Sequence, residues 1–158
     1  MTKIVPSQRM LMAMLRKMHT VSRLPQTLIN LTSVKGLIKI GHCVFLCDES
    51  GIYGFGAVWK SKKRSNHYEI GPIWVDKGYK GQGGSGEIFH DLLNIVRKPR
   101  RTIFVLTQHE VLSSIVTSHG WAKVENWRRG FWNDICEAHD YSDVKSHREP
   151  TLFYITLE

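Results

Sequence analysis

Four of the six residues from Gly81 to Gly86 are glycine, and a fifth is serine. Glycine loses more conformational freedom on ordering than any other residue, so such a run needs a reason. Ile88, Phe89, Leu92, Leu93 and Val96 follow it at helical spacing, so the run opens a helix. Bare backbone N–H groups at a helix start form an anion site, and missing Cβ atoms let a ligand approach closely. The plain alternative is a flexible loop. A nucleotide P-loop of the form GxxxxGK(S/T) is disfavoured, because no lysine follows the glycines. Gly81-Gln82-Gly83-Gly84-Ser85-Gly86 matches GxGxxG literally. A dinucleotide fold, however, runs its strand straight into the first glycine and ends its next strand on an acid. Here polar Asp76 to Lys80 intervene, and the next strand ends in Leu106 and Thr107.

The chain has 158 residues, the size of one ordinary domain. Hydrophobic residues make up 42% and charged residues 23%, which points to a globular chain rather than a disordered one. No apolar run reaches the roughly 18–20 residues a membrane helix needs. The apolar stretch Met10 to Leu15 is interrupted by Arg16 and Lys17 and lacks a small-residue cleavage site, unlike a secretory leader. Cys43, Cys47 and Cys136 are an odd number of cysteines, consistent with reduced thiols in a cytoplasmic protein. Lys and Arg exceed Asp and Glu to give +8, which favours anionic partners. The excess clusters at Lys60, Lys62, Lys63 and Arg64, at Arg97, Lys98, Arg100 and Arg101, and at Arg128 and Arg129. Solvated loops are the plain account of each cluster.

Periodicity maps the rest. A helix is expected from Ser7, its cap, to about His19, with Met10, Leu11, Met14, Leu15 and Met18 on one side. After Pro25, a short second helix is expected over Thr27–Thr32, with Gly36 ending the region. His42–Cys47 and Tyr53–Trp59 form a hairpin around Asp48–Gly51, and His67–Val75 is a third strand. Pro72 sits mid-strand and lacks a ladder donor, so a bulge or splayed pairing is expected there. Arg101–Thr107 is a buried strand, and Glu110–Ser118 a helix stopped at Gly120. Trp121–Trp127 and Thr151–Leu157 are strands flanking a polar, irregular 128–150. The class is mixed α/β, largely antiparallel in its first half, with at least one crossover.

The stretch from Val75 through Lys80, Gly81, Gln82, Gly83, Gly84, Ser85 and Gly86 to Phe89 resembles motif A of the GNAT superfamily, the acyl-CoA-dependent N-acetyltransferases. In the family's (Q/R)xxGx(G/A) pattern, Lys80, Gly83 and Ser85 take the three defined positions. Lys stands for Gln or Arg, and Ser for Gly or Ala; a frame shifted to Gly81, Gly84 and Gly86 is the alternative. Leu112 to Trp121 resembles motif B, with Trp121 in place of the usual Phe. The resemblance extends from about Ser7 to Leu157 and implies a single GNAT-like domain: a mixed, mostly antiparallel, splayed sheet flanked by helices.

What the resemblance implies is N-acyl transfer from acetyl-CoA, or another acyl-CoA, to an amine acceptor. Backbone N–H groups at the strand end Ile73, Trp74 and Val75 would meet the thioester, and Lys80 to Gly86 the CoA diphosphate. Glu69 is the expected base, grouped by strand alternation with Gly71 and Ile73; an exposed surface glutamate is the plain alternative. Asp76 is expected to cap a turn. Relatives often carry a leaving-group Tyr where Val116 stands, so Ser113, with Ser114 and His109 nearby, is the substitute considered. The acceptor could instead be a nucleobase amine, or the chain a non-catalytic relative that binds CoA or nucleic acid. The net charge and the basic-aromatic set Trp121, Trp127, Arg128, Arg129, Phe131 and Trp132 favour nucleic acid, with core packing as the alternative for the aromatics. A homodimer is open. A zinc site at Cys43, Cys47, Cys136 and His139 is disfavoured, because i,i+4 along a strand separates two sulfurs by about 13 Å. His42, His67, His90, His119 and His147 show no recurring spacing and are taken as surface or satisfied core histidines.

Overall fold

The computed structural model describes residues 4–21, 29–107, 109–124 and 151–158. Helix α1 (Gln8–Val21) starts where Ser7 Oγ accepts from the Met10 N–H, and it buries Leu11, Met14, Leu15 and Met18. Helix α2 (Leu31–Ile40) begins later and runs further than the Thr27–Thr32 expectation. Asn30 and Ser33 cap its start reciprocally. Its stop is Gly41 in the left-handed region (φ 70°), while Gly36 lies mid-helix facing open space. Both helices pack on one face of the sheet around Phe55, Ala57 and Trp74.

The sheet comprises β1 (Cys43–Asp48), β2 (Gly51–Lys60), β3 (His67–Val75), β4 (Thr102–Thr107), β5 (Ala122–Val124) and β6 (Thr151–Thr156), in the order β1-β2-β3-β4-β6-β5. Among the described residues only β3 and β4 run parallel, and the other pairings are antiparallel. Helix α3 (Gly84–Val96) makes the crossover between them and buries Ile88, Phe89, Leu92, Leu93 and Val96 on the other face. Helix α4 (Glu110–Ser118) lies beside it. The expected mixed, mostly antiparallel α/β sheet flanked by helices is therefore the observed architecture. β5 starts one residue after Trp121, whose ring is buried against Phe89 instead. Residues 125–150, including Trp127–Trp132, Cys136 and His139, lie outside the described residues. Among the described residues, no helix is long and apolar enough to cross a membrane.

Two register events shape the centre. Gly56 pairs with Ile73 and Val58 with Ile70, so Ala57 faces both Gly71 and Pro72. This is the bulge expected from Pro72. The parallel ladder to β4 covers only His67–Ile70. From Gly71 to Val75, β3 keeps β2 and leaves β4, which continues to Thr107 against β6. The sheet is splayed there.

Candidate active site

The bulge decides which side chains meet. Without it, strict alternation groups Glu69 with Ile73. The extra residue shifts the phase: Ile70, Ile73 and Val75 all pack on the α3 face, whereas Trp74 joins the α1/α2 face. Glu69 alternates with Ile70 and so also lies on the α1/α2 side. The expected grouping with Ile73 is thus corrected. Glu69 is directly opposite Trp59 on β2 and Phe104 on β4, and is only 1% exposed. It is therefore not the surface glutamate of the plain alternative. It stands one residue before the strands part.

The opened edge presents backbone. The Asp76 N–H donates to the Tyr53 carbonyl at 2.7 Å. Antiparallel pairs alternate between bonded and non-bonded, so the pairs 55/74 and 53/76 bond, and 54/75 and 56/73 do not. The amides of Ile73 and Val75 consequently aim away from β2, into the gap left by β4. Trp74 turns its amide back to β2 and its indole, 7% exposed, among the helices α1 and α2.

The glycine run lies at the same end. A 3-10 turn (Lys77–Tyr79) leads into Lys80, which is exposed. Gly81 and Gly83 both take φ +82°, a conformation that side chains resist. Gly83 is the N-cap of α3, has no side chain to cap with, and accepts the Glu87 N–H through its carbonyl. Gly84, Ser85 and Gly86 fill the first turn, where no intrahelical acceptor exists for their amides. A Cβ on Gly84 would stand 3.3 Å from Leu46 Cδ1 and 3.4 Å from Val75 Cγ2, so this first turn abuts the strand end. Gln82 is exposed on the loop between the two left-handed glycines.

Two ties that the sequence did not suggest hold this loop. The Asp76 carboxylate, expected to cap a turn, pairs instead with Lys17 of α1 at 2.6 Å. Tyr79 stacks on Tyr53 with centroids 4.3 Å apart and donates its hydroxyl to Asp48. Asp48 also accepts from the Ser50 N–H (2.8 Å) and Ser50 hydroxyl (2.6 Å). The Ser50 and Tyr79 hydrogen bonds hold its carboxyl below the ordinary value near 3.8. Partners 31 and 59 residues apart carry no local signal that would have revealed them.

Helix α4 closes the site on the α3 side, with Ile115 Cδ1 lying 3.9 Å from where a Gly86 Cβ would be. Val116 is fully buried. Ser113 is half-buried one turn earlier, and its carbonyl accepts the Thr117 hydroxyl at 2.7 Å. Thus Val75 and Gly81–Gly86 gather at one end of the opened edge, and Glu69 lies on the opposite sheet face from α3 and α4. The diphosphate of a CoA fits this arrangement chemically: a first helical turn of uncapped amides, approached through two left-handed glycines.

No family model matches the sequence, and no curated protein matches it. Solved structures do. A Mycobacterium tuberculosis protein, Rv2747, crystallised in complex with CoA, superposes with a TM-score of 0.68 at 16% identity, covering 97% of this chain and 97% of its own. N-acetylglutamate synthase from Neisseria gonorrhoeae, complexed with coenzyme A and N-acetyl-glutamate, gives 0.65 at 12% identity, over 100% of this chain and 34% of that one. A GNAT-family acetyltransferase from Staphylococcus aureus gives 0.59 at 13% identity, over 98% of both chains. With its order of elements, its parted β3 and β4 and these neighbours, the chain has the fold of the GNAT acetyltransferases.

Proposed function

We propose that the protein is an N-acyltransferase that moves an acetyl or related acyl group from acyl-CoA to an amine. The observation that carries the reading is the parting of β3 from β4 after Ile70 beside the uncapped first turn of α3. Acetyl-CoA, bound in two further crystal structures similar to this chain, would supply an acyl group activated as a thioester. The amides of Gly84, Ser85 and Gly86, with Lys80 beside them, would hold the diphosphate. The amides at the strand end, Ile73 and Val75 foremost, would hold the thioester carbonyl oxygen and stabilise the oxyanion. Trp74 then serves as the indole wall on the acceptor side.

An amine attacks only when neutral, so an ammonium acceptor must lose a proton first. Glu69 is the group assigned to accept it, through water, on the α1/α2 side of the sheet. The C–N bond forms, the C–S bond breaks, and CoA leaves as the thiolate, which takes up the second proton that the nitrogen loses. Ser113 is the assigned hydrogen-bond donor to that thiolate. Its contribution is small, because a thiolate leaves readily without an acid.

The assay is thiol release from acetyl-CoA against a panel of amines. Glu69→Gln lowers turnover by about 10²-fold, with the largest loss where the acceptor is still an ammonium and a carboxylate is ionised, while acetyl-CoA binding persists. Turnover unchanged across pH removes Glu69 as the base. A second reading, a non-catalytic CoA binder, is favoured by Val116: the resemblance implies a tyrosine at about this position, and the residue present is fully buried and carries no ionisable group. Binding of acetyl-CoA without thiol release for any amine would select it.

A further inference from the structure

The opposite end of the sheet carries the chain's charge. Residues 60–67, the β2–β3 loop with the strand residues that flank it, hold four Lys and Arg; residues 97–102, from the end of α3 to the first residue of β4, hold four more; neither segment has an Asp or Glu. Those eight cations are equal in number to the chain's net charge of +8.

The fold brings both loops together. In the parallel ladder His67 pairs with Thr102, so β3 and β4 start side by side. The Thr102 N–H donates to Asn66 O at 2.9 Å, and the Arg100 N–H to Leu157 O at 2.8 Å. Arg101 lies over the Tyr68 ring at 4.4 Å, which fixes one guanidinium between the loops. The field reaches the sheet itself: burial first, then Arg101, with Lys60 adding, hold His42 below its ordinary value near 6.5. The nine residues of β3 put this end about 27 Å from Val75 and the glycine run.

The composition of the loops selects the partner. Apart from Pro99, neither carries an apolar side chain. A membrane-surface site sinks apolar groups into the interface, and a protein interface seats aromatic anchors in pockets. Here there are guanidinium and ammonium groups interleaved with exposed Ser65 and Asn66, the donors that phosphate oxygens take, while buried Ser61 accepts the Lys63 and Arg64 N–H groups and holds the loop. We infer that the joined 60–67 and 97–102 loops are a docking surface for the phosphodiester backbone of nucleic acid, separate from the acyl-transfer site.

The test uses the full chain without acyl-CoA, so it stands whether or not the protein is a transferase. A fluorescein-labelled DNA duplex is titrated by anisotropy from about 50 to about 200 mM salt. The expected result is binding whose logarithm falls linearly with log salt. The triple variant Lys62→Gln/Lys63→Gln/Lys98→Gln loses about 0.9 of slope per cation, about 2.7 in all. A control triple with the same net charge, Arg9→Gln/Arg16→Gln/Lys77→Gln, keeps the slope. Should the first triple melt early, Lys98→Gln alone loses about 0.9. Absence of duplex binding, equal slope losses in the two triples, or tighter binding of polyglutamate or phosphatidylserine vesicles at matched charge would overturn the inference.

Discussion

Gly56 on β2 is where the sheet and the crossover helix come closest. A Cβ built there would lie 2.3 Å from Ile88 Cγ2 and 2.7 Å from Leu92 Cδ1. Both side chains belong to α3, and both are fully buried, so neither can turn aside into solvent. Ordinary carbon contact begins near 3.4 Å, so Gly56→Ala displaces α3 by about 1 Å or forces both side chains off their rotamers. Overpacking of this kind costs about 1–3 kcal/mol. In a chain of 158 residues that is a fall in Tm of about 2–12 °C. The helix being pushed carries Gly84–Gly86 on its first turn, so the substitution should also weaken acetyl-CoA binding in the fraction that remains folded. The assay is thermal unfolding followed by calorimetric titration below the transition. Gly36→Ala is the matched control: it lies in α2 with open space around it and should gain about 0.5–1 kcal/mol. A Gly56→Ala protein melting within about 1 °C of the parent would refute the close approach of β2 and α3 and, with it, the placement of the first helical turn.

Other consequences are as direct. Tyr79→Phe keeps the stack on Tyr53 but removes the hydrogen bond to Asp48, so KM for acetyl-CoA should rise by about 2–10-fold, consistent with a loss of about 0.5–1.5 kcal/mol, while kcat holds; a fall in kcat at constant KM contradicts the tethering role. His42 has a folded-state pKa below its unfolded value, so its contribution to stability is present above about 6.5 and is lost as pH falls through the folded value. Melting temperature should therefore drop from pH 7 towards pH 5, and His42→Gln should flatten that part of the profile; an unchanged profile in the variant contradicts the assignment.

Much of this fold is legible in the sequence because local signals and tertiary contacts agree. The Met and Leu spacing of α1 marks the side that is buried, and β3 and α4 begin and end where their apolar runs do. Pro72 announces the bulge. What the bulge does to the site is not legible, because its effect depends on Ala57, one residue on another strand facing two. Alternation alone put Glu69 with Ile73; the phase shift puts it with Trp74. Gly36 looked like a stop because glycine disfavours helix interiors, yet the Asn30–Ser33 capping box and the left-handed Gly41 outweigh that one unfavourable residue. The Lys17–Asp76 and Tyr79–Asp48 ties join residues far apart in the chain, and only the folded sheet brings them together. The glycine run was visible at once, since so many residues without side chains serve little else.

The most direct test compares coenzyme A with pantetheine by calorimetric titration. Pantetheine keeps the thiol arm that would lie along the parted strand but lacks the diphosphate and the 3′-phosphoadenosine joined to it. If Gly84–Gly86 hold that group, coenzyme A binds tighter by about 10²-fold or more, a difference of about 2.7 kcal/mol. Equal affinities, or no heat for either, would contradict the account.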